Sequence, residues 1–134
     1  MEKFKPKSRD ELIALLERST PLENIDVSMI TDFSDLGPVF SRNYLTGIDM
    51  QGIETWDVSG AETMAGMFRG CYNFREDIGN WDVSRVMDLS AMFAWCPSFD
   101  RNLVSRWSIP SGANTLGMFF GCEPMDLDYF WEWV

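Results

Sequence analysis

Trp81-Asp82-Val83-Ser84-Arg85-Val86-Met87-Asp88-Leu89-Ser90-Ala91-Met92-Phe93-Ala94-Trp95-Cys96 is the stretch whose reading decides the fold. It occurs upstream as Trp56-Asp57-Val58-Ser59, Met67-Phe68 and Cys71, and downstream as Trp107-Ser108-Ile109-Pro110, Met118-Phe119 and Cys122. All three series step by 25 and then 26 residues. Constant spacing of this kind marks units that repeat and pack on one another, because no single unit can bury its own apolar side.

Within the unit, residues 74–83 space their large apolar side chains widely, and Trp81 and Val83 alternate around Asp82 as on a strand with one buried face. Residues 86–96 place Val86, Leu89, Met92, Phe93 and Cys96 at steps of three and four, the pattern of a short helix or of tight 3₁₀-like turns. Upstream, Ile25-Asp26-Val27-Ser28 opens a fainter copy, in which Phe40 matches Phe68, Phe93 and Phe119. It lies 31 residues before Trp56, so extra chain is expected to loop out around Gly37-Pro38 and residues 46–52.

The chain divides on this reading into one domain. Residues 1–24 form a basic arm and a capping helix, 25–55 an irregular first repeat, 56–122 three regular repeats, and 123–134 an aromatic C-terminal cap. The helix is expected near 9–18, with Ser8 as its N-cap and Glu11 completing a capping box. The predicted fold is α+β: a short right-handed leucine-rich-repeat-like solenoid of about four turns behind that helix.

The repeated Trp-Asp-Val-Ser, Met-Phe and Cys pattern resembles the bacterial surface-protein repeat family, known from BspA-like proteins and from mycoplasma lipoproteins with repeats of ~25 residues. The last unit, with Ile109-Pro110 and Phe119-Phe120-Gly121-Cys122, is similar to the Ile-Pro and Phe-x-Gly-Cys form of BspA-type leucine-rich repeats. The resemblance implies the right-handed solenoid and no catalytic apparatus. Its members are commonly long, secreted and adhesive.

Composition narrows function further. Net charge is −10, and residues 21–134 carry six Arg, no Lys and 17 acids. Such a surface repels nucleic acid and anionic membranes and attracts basic protein faces. No His is present, nor any CxxC pair, so neither a metal site nor a His general base is expected. Glu76-Asp77 is the nearest approach to a carboxylate pair, but small stacked units offer no deep cleft for glycosidase chemistry. No catalytic residue and no cofactor are expected, and the chain is read as no enzyme. The three repeat-locked cysteines are read as buried thiols. No apolar run reaches the ~20 residues of a membrane helix, and the N-terminus has no secretory signal, so a cytoplasmic, monomeric protein is expected.

Two functions follow as expectations. The first is an intracellular acidic nucleic-acid mimic, an anti-CRISPR-like inhibitor that occupies the cationic groove of a nucleic-acid-binding complex. The alternative is a generic protein-interaction or adhesion module of the surface-repeat type. The candidate partner-binding residues are Asp26, Asp32, Asp35, Asp57, Glu62, Glu76, Asp77, Asp82 and Asp88. Asp82 and Ser84 also suit a structural role, capping the helical half of the repeat through nearby backbone N–H groups.

Overall fold

A computed structural model describes residues 2–44 and 50–122. The predicted N-terminal helix forms as α1, Arg9–Glu17. Ser8 Oγ accepts from the Glu11 N–H, while the Glu11 carboxylate accepts from the Lys7 N–H rather than closing the box on Ser8. Leu12, Leu15 and Leu16 are its buried face. A second helix, α2, spans Gly37–Asn43 and packs against α1. 3₁₀ turns lie between the two helices at Leu22–Asn24 and after them at Ile53–Thr55 and Arg101–Arg106.

The α+β solenoid expectation is overturned. The described residues contain no sheet; their only strand-like pairs are four isolated parallel bridges. The strand expected in 74–83 does not form, because the Trp81 N–H turns back to the Ile78 carbonyl instead of pairing with a neighbour. Of the two forms expected in 86–96, the tight turns form and the short helix does not. Ala91 and Trp95 hold φ of +53° and +62°, which no right-handed helix tolerates.

What replaces both is a coil of tight turns. Met92 donates to Leu89, Cys96 to Phe93, and Phe99 to Cys96, each bond reaching back three residues. These turns bring an apolar side chain inward at steps of three, which is why the sequence imitates helical periodicity. The intervening N–H groups point to the next repeat. Met64, Gly66, Phe68 and Gly70 donate to the carbonyls of Asp88, Ser90, Met92 and Ala94. Leu89, Ala91, Phe93 and Trp95 donate in the same way to Asn114, Leu116, Met118 and Phe120. Turn bonds and lateral bonds alternate, so backbone groups are satisfied without a strand.

Consecutive repeats are also locked by their rings. Phe40, Phe68, Phe93 and Phe119 stack in sequence, with centroids 5.5, 5.7 and 5.5 Å apart. Phe74 and Phe99 form a second stack against them. Trp81 lies parallel to Trp107, 6.5 Å away. All these rings except Phe119, which is half-buried, sit in one contiguous core.

The tryptophans differ in one respect. Trp56 Nε1 donates to the Leu22 carbonyl and Trp107 Nε1 to the Ile78 carbonyl, three residues before Ile25 and Trp81, which hold the same position in the preceding units. The equivalent acceptor for Trp81 is Ile53, yet Trp81 Nε1 is buried without a partner. A buried, unpaired donor is costly. Trp107→Phe is therefore expected to destabilise by about 1–2 kcal/mol more than Trp81→Phe. Paired denaturant melts check this, and an equal or reversed order would contradict the assignment.

The expected C-terminal cap at 123–134 lies outside the described residues, as does most of the loop expected at 46–52.

Candidate functional site

The nine candidate acids are positioned by local turn chemistry. Asp-x-Ser occurs at Asp26, Asp32, Asp57, Asp82 and Asp88, and at all five the serine N–H donates to the aspartate Oδ1 at 2.9–3.0 Å. Asp32, Asp57 and Asp88 also accept from the serine hydroxyl at 2.6 Å. The carboxylate thus nucleates a turn in its own chain. The expectation that Asp82 and Ser84 organise the following segment holds for this turn but not for a helix, since none follows.

These turns fall at two repeated positions, and bridges align one of them. Parallel bridges join Asp32 to Thr63, Thr63 to Asp88, and Asp88 to Asn114. Thr63 and Asn114 do the same work with a hydroxyl and an amide, accepting from the N–H of Ala65 and Leu116. Asp26, Asp57 and Asp82 occupy the other repeated position, where Ser108 stands in the last unit. Asp57 and Asp82 are exposed and Asp26 half-buried.

Bonding to the ionised form acidifies some of these groups. The Ser28 hydroxyl and N–H hold Asp26 below the ordinary carboxylate range, helped by Lys5 Nζ at 4.0 Å. The Ser84 hydroxyl and N–H do the same for Asp82. Asp77 is lowered by the Gly79 N–H and then by Arg106, whose guanidinium lies 2.8 Å away. This last acid is spent within the chain on an exposed ion pair. Glu76 behaves oppositely: partial burial and then Glu54 raise its pKa.

Glu62 and Asp35 complete the set, both exposed. Glu62 takes part in the repeat-to-repeat bonding through its backbone, donating to Thr31 and accepting from Met87. Asp35 has φ of +53° at a position filled by Gly66, Ala91 and Gly117 in later units, all with positive φ. Its carbonyl is approached by the Arg9 guanidinium at 3.4 Å. The bridges therefore bring Asp32 and Asp88 into one column, while Asp26, Asp57 and Asp82 share a repeat position and the same local turn, and Asp35, Glu62, Glu76 and Asp77 belong to neither set.

The Asp-x-Ser pattern outside the Trp-Asp-Val-Ser copies was the missed signal. It would have identified the second column from Asp32-Phe33-Ser34 and Asp88-Leu89-Ser90. Also missed were the exposed apolar side chains Met87, Trp95, Leu116 and Phe120, because the repeat pattern assigns apolar residues to the core.

A cavity lined by Tyr44, Cys71, Tyr72 and Phe74, among others, contains none of these acids. Among the described residues no cluster of three or more His, Cys, Asp or Glu could hold a metal ion, and no helix is long and apolar enough to cross a membrane. The three cysteines are buried and none is in a disulfide. Cys96 Sγ donates to the Phe68 carbonyl at 2.8 Å and Cys122 Sγ to the Phe93 carbonyl at 2.6 Å. Burial pushes the Cys71 thiol up to about 12 and that of Cys96 up as well. At pH 8 the folded protein should leave both unmodified by a thiol-specific reagent, and react fully once denatured. Rapid stoichiometric labelling of the native state would contradict their placement.

The family model described as "Mycoplasma protein of unknown function, DUF285" matches residues 34–133. This chain belongs to that family. The DUF285 family is of the bacterial surface-repeat type, which agrees with the resemblance in its coarser part. Its match begins within the first repeat, downstream of α1. No curated protein and no solved structure matches the chain.

Proposed function

We propose that this chain is a non-enzymatic protein-interaction module of the bacterial surface-repeat type, whose partner is a protein with a basic face. The family supports the module, and the repeated, turn-fixed aspartates support the partner's charge. The observation that carries the reading is the locking of Asp26, Asp57 and Asp82 at one repeated position. Each serine bond uses Oδ1. At Asp57 and Asp82 the second oxygen is left for a cation from outside. A carboxylate already fixed by its own turn loses little conformational freedom on binding.

Nucleic-acid mimicry is the narrower reading and is less well supported. A mimic needs a continuous row of negative charge. The bridged column is interrupted by neutral Thr63 and Asn114, and the other repeated position holds Ser108 in the last unit. Arg106 further neutralises Asp77.

The test is affinity capture from host lysate with the wild type and with Asp57→Asn/Asp82→Asn, at about 50 mM and about 300 mM salt. Asn114 already serves in the equivalent kind of turn, so the substitution should preserve the fold. A partner with a basic surface should bind the wild type at low salt, and be lost at high salt or with the variant. A partner held equally by both proteins at both salts would reject the charge-based reading.

A further inference from the structure

Residues 2–7 hold all three lysines of the chain, Lys3, Lys5 and Lys7, separated by Phe4 and Pro6. This segment adds a rung ahead of the first repeat. Phe4 bridges in parallel to Ile25, at the position where later repeats place tryptophan. The Phe4 N–H donates to the Asn24 carbonyl at 2.9 Å, and its carbonyl accepts from the Asp26 N–H at 2.7 Å. Lys5 Nζ then lies 4.0 Å from Asp26 Oδ2. Asp26 Oδ1 is already held by the Ser28 N–H. Lys5 therefore stands at the oxygen that the same turn leaves open at Asp57 and Asp82.

The hold on this segment is slight. One residue makes both backbone bonds, whereas Met64, Gly66, Phe68 and Gly70 all donate to the repeat that follows them. The Lys5–Asp26 pair is long and wet, with side chains 55 % and 35 % exposed, a setting in which ion pairs add little. The Phe4 ring is exposed, and of residues 2–7 only Pro6 is buried. Without the arm, the Asn24 carbonyl and the Asp26 N–H form an open edge beside a fixed carboxylate. Such an edge takes an extended segment that gives it one N–H and one carbonyl, and that carries a cation at the next residue. The arm is a segment of this kind. Tethered through Lys7 to Ser8, the N-cap of α1, it competes at a local concentration in the millimolar range or above. A partner displaces it only by adding contacts of its own.

We propose that the Asn24–Asp26 edge is a docking site for an extended, lysine-bearing segment of the partner protein, and that residues 2–6 close it in cis until such a segment displaces them. This rests on the basic-partner reading above and narrows it, while its test involves neither Asp57 nor Asp82. The probe is a synthetic peptide of residues 2–7 with blocked ends. It is added at millimolar concentration to the full chain and to its Phe4→Pro/Lys5→Glu variant, with backbone amide resonances as the readout. The two substitutions remove the Phe4 N–H and set a carboxylate against Asp26.

In the variant the Asp26 amide should leave its wild-type position, and the peptide should return it there. That binding should be at least about threefold weaker at about 300 mM salt than at about 50 mM. The wild type should respond at least about tenfold more weakly, because its own arm fills the edge. A peptide carrying the same two substitutions should have no effect. The proposal is overturned if the peptide leaves the variant's Asp26 amide unmoved, if the substituted peptide works as well, or if the wild type responds equally. Should the variant lose the native resonances of Leu89, Ala91 and Phe93, hydrogen exchange of the wild type decides. Asp26 should exchange at least about tenfold faster than Phe93, the arm opening while the repeats stay closed. Equal protection overturns the proposal. Failure here leaves capture through Asp57 and Asp82 untouched, whereas a captured partner indifferent to charge would reject the broader reading alone.

Discussion

Phe93→Ala is expected to cost ~3–5 kcal/mol, the largest effect of any single truncation in the repeats. Phe93 touches five other rings: Phe68, Phe74, Phe99, Phe119 and Trp107. It is completely buried, and its ring bridges the units before and after it. Its backbone cannot move to fill the space, because the Phe93 N–H is bonded to Met118 while its carbonyl accepts from both Cys96 N and Cys122 Sγ. The cavity would therefore stay open, and the cost should lie at the upper end for such changes. Phe119→Ala, at the half-covered end of the same stack, should cost less. Urea melts of the two variants check the order, and a Phe93 cost below about 1 kcal/mol would contradict the packing.

Gly37→Ala is the second large effect, and it arises from the backbone. A Cβ at Gly37 would collide with the carbonyl oxygen, carbonyl carbon and nitrogen of Arg69 in the following repeat. None of those atoms can step aside without moving the chain beside Gly66, to whose carbonyl the Gly37 N–H donates. A loss of about 3 kcal/mol or more is expected, at or beyond the upper end of ordinary overpacking. Gly70→Ala is the control. Its φ of +80° also disfavours a side chain, but no atom stands within 4 Å of the new methyl. That variant should lose about 1–2 kcal/mol, the backbone term alone. Thermal melts that rank Gly70 above Gly37 would show that backbone conformation, not close approach, dominates.

The repeat itself was plain in the sequence. The equivalence of Phe40, Phe68, Phe93 and Phe119 follows from spacing alone, and the rings stack in that order. The N-terminal helix was also legible, because Ser8 and the Leu12, Leu15 and Leu16 spacing are local signals. The internal form of the repeat was legible only as a choice between a short helix and tight turns. Turns closed by bonds to the third preceding residue and a true helix place apolar residues at almost the same steps. The distinguishing sign is the left-handed column, filled by Gly66 and Gly117 but by alanine at Ala91, and its neighbour, filled by Gly70 and Gly121 but by tryptophan at Trp95. In the Trp81–Cys96 unit the two glycines that would have exposed it are absent.

The site was half legible for a similar reason. Aspartate followed two residues later by serine is a local turn signal, and Asp26, Asp57 and Asp82 each make that turn. Thr63 and Asn114 sit in the second series without matching it in type, so only the bridges reveal that they belong. Asp77 looked available on charge alone, and its pairing with Arg106, 29 residues away, is a tertiary fact.

The central claim is that each repeat is joined to the next by backbone bonds at alternate residues, in register, with tight turns between them. Scalar couplings transmitted through hydrogen bonds test it without substitution. The account predicts coupling from the Gly66 nitrogen to the Ser90 carbonyl carbon, from Phe68 to Met92, and from Ala91 to Leu116. Couplings from the nitrogens of residues 89–96 to carbonyls four residues earlier in their own repeat would instead establish a helix there, and would contradict it.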